Sequence, residues 1–134
     1  MESLTTQNTS SAARLMNSAY NESVTNWSYA SMNQTEFEDC VNKYHQANPL
    51  RFKDTSTVFT LCDYGCTNGG SSVLPLRALI QKIRELSPEM PIQIYLNDLP
   101  ECRFDITFKT VSDGLQINNL KDVFIMAVGK DFTE

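Results

Sequence analysis

The sequence predicts an α/β fold built on a short parallel sheet, and three stretches carry that reading. Residues 58–62 (VFTLC) form an apolar, β-branched run, residues 63–70 (DYGCTNGG) a glycine-rich turn, and residues 71–86 (SSVLPLRALIQKIREL) repeat apolar side chains at helical spacing. A second strand-like run, 92–96 (IQIYL), follows the SPEMP break and ends in Asn97 and Asp98. Strand, glycine turn, helix and strand make a β-α-β unit. Its turn and its distal acid lie at the carboxyl end of the sheet, where open α/β sheets bind ligands.

Taken in order, residues 1–13 are small and polar, as expected of a disordered start. The stretch that follows, to Asn33, is aromatic and amide-rich, and its Tyr20, Trp27 and Tyr29 suit a loop packed on the domain. Residues 35–46 predict a helix, with Thr35 as cap, Glu38 completing a capping box, and Phe37, Cys40, Val41 and Tyr44 on one face. Asn48 and Pro49 end it. The lone His45 and the acids Glu36, Glu38 and Asp39 read as surface residues. In the turn, Gly65, Gly69 and Gly70 remove side chains where the backbone bends and a ligand approaches, and Ser71 or Ser72 is positioned to cap the next helix. Beyond the second strand, residues 101–114 predict a loop and a short helix, and 114–122 a polar connection. Residues 123–128 (VFIMAV) predict a third strand buried on both faces.

Composition sets the broad class. At 134 residues, 41% hydrophobic and 20% charged, the chain can bury one core. Its net charge of -5 argues against a nucleic-acid partner, which needs a basic face. No apolar run reaches membrane-spanning length and the start lacks a leader pattern, so the expected location is cytoplasmic, with no membrane partner. The four cysteines, Cys40, Cys62, Cys66 and Cys102, form no C-x-x-C and find no paired histidine, so free thiols and no metal are expected. The Asn-x-Ser/Thr matches at Asn8, Asn21, Asn26 and Asn33 matter only in a secreted protein.

The turn discriminates between nucleotide ligands. A dinucleotide site asks for G-x-G-x-x-G, whereas the spacing from Asp63 is D-x-G-x-x-x-G, and the Gly-Lys-Ser/Thr of a phosphate loop is absent. S-adenosylmethionine fits better. It offers a ribose for Asp98, no phosphate, and a cationic sulfonium with an amino-acid tail near Asp63.

The run LCDYGCTNGGSSVLPLRALI with IQIYLNDLPECRFDITFKTV resembles the S-adenosylmethionine-dependent carboxyl methyltransferases of the salicylate, benzoate, jasmonate and caffeine-pathway type, the SABATH family. That family carries D-L-G-C-S-S-G-x-N and F-L-N-D-L-P-x-N-D-F-N segments. Asp63, Gly65, Cys66 and Gly69 match the first, and Leu96–Pro100, Phe104 and Phe108 fall on or near the second. The resemblance implies that Asp98 holds the ribose, Leu99 packs on adenine, and Asp63 with Gly65 lines the methionine part, with Gly69 a further cofactor-binding residue. It further implies cofactor contacts for Ser28 and Phe132 and substrate contacts for Tyr29 and Gln34. Tyr64 stands where the family has a small apolar residue, Ser71 near its Asn, and Asp131 in place of a Ser.

The resemblance implies a Rossmann-like class I methyltransferase fold, truncated after about three parallel strands in the order 3-2-1. Residues 1–50 would be a polar segment and helix closing over cofactor and substrate, and 51–134 the N-terminal half of the cofactor domain. The first strand would then expose an edge open to a second copy or a complementing chain. The implied activity is methylation of a small carboxylic acid, a direct displacement that calls for alignment and no catalytic residue. The alternative expectation is a truncated, non-catalytic binding or interaction module.

Overall fold

The computed structural model describes residues 34–133. Helix α1 (Gln34–Ala47) and a 3-10 turn (Pro49–Lys53) precede strand β1 (Phe59–Tyr64). Helix α2 (Val73–Leu86), strand β2 (Ile92–Asp98), helix α3 (Phe104–Leu115), a second 3-10 turn (Ile117–Asn119) and strand β3 (Val123–Gly129) follow. The strands form one parallel sheet in the order β1-β2-β3, with Asp63 level with Leu96 and Asn97 level with Val128. This is the predicted α/β arrangement, β1 at one edge and β2 in the centre.

Both crossovers step in the same direction across the sheet, so the right-handed rule puts α2 and α3 on one face. The core forms there. Ile92, Ile94 and Leu96 of β2 are fully buried against Leu76, Ile80 and Ile83 of α2 and Val111 and Leu115 of α3. Helix α1 packs beside α2. A ring cluster of Tyr44, Phe52 and Phe59, with centroids 5.5–6.0 Å apart and Tyr44 edge-on to both phenylalanines, joins α1 and its 3-10 turn to β1. Arg51 lies over the Phe59 ring at 5.2 Å.

Beneath the sheet, at the amino ends of the strands, Arg84 near the end of α2 ties two loops together. Its Nε donates to the carbonyl of Met90 at 2.8 Å, and its Nη2 to the carbonyls of Lys121 and Asp122. Lys121 is also ion-paired with Glu89 at 2.8 Å.

The structure corrects several expectations. Strand β3 is not buried on both faces: Phe124 and Met126 are about half exposed (52% and 51%), because both crossover helices lie on the opposite face of the sheet. Helix α3 is longer than expected and runs through Gly114, where any Cβ would stand 2.6 Å from Val73 of α2. Helix α1 begins at Gln34, so Thr35 is inside its first turn and Glu38 accepts from the side chain of Gln34 at 2.8 Å instead of closing a capping box. Strands β1 and β2 extend further than expected, to Tyr64 and Asp98, so Asp63 and Asp98 are both strand residues. The polar start, Ser28 and Tyr29 lie outside the described residues.

Candidate cofactor site

At the carboxyl end of the sheet the chain leaves β1 through a tight turn. The N–H groups of Gly65 and Cys66 both donate to the carbonyl of Asn97, at 2.8 and 3.1 Å, which fastens the turn to the end of β2. Gly65 and Gly69 have φ of +81° and +87°, the left-handed region that glycine enters without steric cost. Gly69 also has no room for a side chain: a Cβ would sit 2.9 Å from Val111 and 3.0 Å from the Thr107 carbonyl. Between them Thr67, a β-branched residue, is held at φ +48°, a conformation that costs an L-residue about 1–2 kcal/mol.

What holds Thr67 there is a set of contacts to β2 and α3. Its N–H donates to Oδ2 of Asp98 at 2.8 Å. Its carbonyl accepts from the hydroxyl of Thr107 and, at 3.3 Å, from the thiol of Cys102. The other carboxylate oxygen of Asp98 accepts the N–H of Leu99 at 2.7 Å. Asp98 is therefore oriented by two backbone amides, one from the turn and one from its own loop. Each oxygen keeps a second lone pair, which is what a vicinal diol needs from a single carboxylate.

Asp63, on the neighbouring strand, accepts from the hydroxyl of Ser72. Burial raises its pKa above the ordinary 3.8; the Ser72 bond works against that rise, and the nearby Asp98 charge adds to it. Among the described residues no Lys or Arg forms an ion pair with Asp63. The expected cap of α2 is corrected by this bond: Ser72 occupies the N-cap position but makes no side-chain cap, its hydroxyl being turned to Asp63. A half-buried carboxyl without a cation fits a positively charged ligand group, and the diol-ready Asp98 beside it fits a ribose.

After β3 the chain turns back across the end of β2. The N–H of Lys130 donates to the Asp98 carbonyl at 2.9 Å, and the Asn97 amide donates to the carbonyls of Val128 and Lys130 at 2.9 and 3.0 Å. Phe132 thereby reaches Tyr64 at the end of β1, ring centroids 5.1 Å apart. Asn97, level with Tyr64 on β1 and Val128 on β3, is buried, and its Oδ1 lacks a hydrogen-bond partner among the described residues.

A family profile described as SAM dependent carboxyl methyltransferase matches residues 16–134. The chain belongs to that family. A search of curated proteins finds no match to it. Family membership implies use of S-adenosylmethionine, and the donor set at Asp63 and Asp98 is compatible with that cofactor. Of the residues singled out in this methyltransferase-family chain, Asp63, Gly65, Gly69, Asp98 and Leu99 gather around the turn, with Leu99 buried behind Asp98. Phe132 packs on Tyr64. Gln34 is exposed at the start of α1, its side-chain amide donating to Glu38 at 2.8 Å.

Thr67 and Thr107, which shape the turn, went unnoticed in the sequence, and Cys102 was noted only as a free thiol. A threonine in the middle of a helix face otherwise built of Phe104, Val111 and Leu115 was the available signal for Thr107. All four cysteines within the described residues are free, as expected, and burial pushes the thiols of Cys66 and Cys102 up, which makes them poor nucleophiles. No group of His, Cys, Asp and Glu among the described residues is arranged to hold a metal, and no described helix is long and apolar enough to cross a membrane.

Proposed function

We propose that this chain binds S-adenosylmethionine at the carboxyl end of its sheet and serves the methylation of a small organic acid on its carboxylate. The observation that carries the reading is that Asp63 and Asp98 both stand near the carboxyl ends of the adjacent parallel strands β1 and β2, around a glycine turn, in a carboxyl methyltransferase family chain. Asp98 accepts the two ribose hydroxyls with the lone pairs its backbone amides leave over. Asp63 faces the cationic methionine part, Gly65 gives it room, and Gly69 lets the turn that cradles it close against α3. Leu99 and Phe132 pack on the adenosine, Ser28 adds a cofactor contact, and Tyr29 and Gln34 meet the acid.

When bound, the cofactor supplies a methyl group on a cationic sulfur, which a carboxylate displaces directly. The protein's part is to align the two groups and exclude water, so no general base is assigned. Free edge atoms on β1, which pairs only with β2 among the described residues, offer a docking line for a second copy or a complementing chain. The cytoplasm is the proposed location.

Radiolabelled methyl transfer over a panel of small acids, run beside calorimetric titration with S-adenosylmethionine, tests this. Transfer that disappears in Asp98→Ala supports the reading. Cofactor binding with no transfer to any acid favours a non-catalytic binding module, and no binding by folded protein removes the cofactor reading altogether.

A further inference from the structure

We propose that Thr107 is a positioning residue for the cofactor cradle, acting through the Thr67 peptide on Asp98. The proposal rests on Asp98 being the ribose acid and goes beyond it by assigning the control of that acid to helix α3. Thr107 is completely buried and lies on the face of α3 that packs against the turn. At such a place a valine would fill the same volume without a hydroxyl to desolvate. The hydroxyl therefore has to be explained by its bonds. Its one proton has two carbonyls in reach. The longer contact is to Arg103 of its own helix at 3.3 Å, which many helical threonines make, and the shorter, which takes the proton, is to Thr67.

That second contact has consequences for the site. Thr67 sits at positive φ, a state that persists in a β-branched residue only where its surroundings over-determine it. Asp98 holds its N–H and Thr107 its carbonyl, with the Cys102 thiol as a weaker second donor. Removing the Thr107 hydroxyl frees the carbonyl to rotate and the peptide to relax toward negative φ. The N–H then leaves Asp98, which loses one of the two amides that aim its lone pairs.

The test compares the parent with Thr107→Val and Thr107→Ser, using S-adenosylhomocysteine as the calorimetric probe and amide hydrogen exchange at Thr67 as a readout independent of ligand. Thermal unfolding of each variant is recorded alongside. The expected result is about tenfold weaker binding in Thr107→Val, the equivalent of one buried hydrogen bond, with near-parent affinity in Thr107→Ser. Thr67 exchange should accelerate in the valine variant and return toward the parent rate in the serine variant, while protection in β2 stays unchanged. Equal affinity and equal Thr67 exchange in parent and valine variant would overturn the proposal. Loss in both variants alike would also overturn it, since packing and not the hydroxyl would then be responsible. A parent that fails to bind the probe defeats the cofactor reading, and the exchange data alone then decide whether Thr107 clamps Thr67.

Discussion

The hydroxyl of Ser72 donates to Oδ2 of Asp63, nine residues back in the chain, although Ser72 stands at the N-cap position of α2. A cap would satisfy a helix amide, typically worth about 1 kcal/mol. Directed to Asp63 instead, the same hydroxyl partly offsets the burial of a carboxyl group that has no cationic neighbour among the described residues. Local helix stability is given up to hold a side chain at the site.

The acid's raised pKa sets a pH dependence with a definite sign. A carboxyl that binds its proton more tightly folded than unfolded contributes stability below its unfolded value of 3.8 and loses it as pH rises through the folded value. Asp63→Asn keeps an acceptor for Ser72 and removes that loss. The variant should be more stable than the parent at pH 7, with the difference closing as pH falls toward 3.8, while its affinity for S-adenosylmethionine drops. Chemical denaturation across pH, followed by calorimetry, measures both.

The two left-handed glycines of the turn should respond unequally to alanine. At Gly65 a Cβ meets nothing within 4 Å, so only the backbone penalty applies, about 1 kcal/mol. At Gly69 the same penalty adds to overlap with Val111 and the Thr107 carbonyl, for about 3 kcal/mol in total. Urea midpoints for Gly65→Ala and Gly69→Ala would show the order, and equal midpoints would mean that α3 yields to the new side chain.

Gly114 tests how tightly the two crossover helices meet. Alanine is the better helix former by about 1 kcal/mol, yet here its Cβ would stand 2.6 and 2.7 Å from the two Val73 methyl carbons. Gly114→Ala should therefore destabilise, by about 1–2 kcal/mol after the propensity gain. Adding Val73→Ala should recover at least about 1 kcal/mol of the single-variant losses, a coupling visible in a double-mutant cycle.

Phe124 and Met126 stand on the sheet face opposite α2 and α3, about half exposed. Replacing either with lysine should change stability by no more than about 0.5 kcal/mol and reduce self-association at high concentration. Sizing chromatography read against thermal melts checks this. A large fall in melting temperature would mean that the face is covered within the chain.

Much of this arrangement was legible. The apolar runs, the glycine turn and the helical spacing of residues 73–86 were enough for the β-α-β order, since each signal comes from the local chain. What was lost depended on partners far apart in sequence. The continuous apolar pattern of 123–128 signals two-sided burial, but burial depends on where the helices land, and both crossovers land on one face. Ser72 looked like a cap because serine before a helix usually is one, and the competing acceptor, Asp63, becomes a neighbour only once β1 is paired. Thr107 was hard to read because its acceptor is a main-chain carbonyl, so only its place on an apolar helix face marks it.

Arg84 reaches from α2 to carbonyls of both loops at the amino ends of the strands. The bonds that close the fold below the sheet therefore share no residue with those that shape the turn at Asp63, Thr67 and Asp98. Evolution can edit one end without renegotiating the other. A sequence library confined to the loops at the carboxyl ends would change what the protein recognises while its descendants inherit the same foundation.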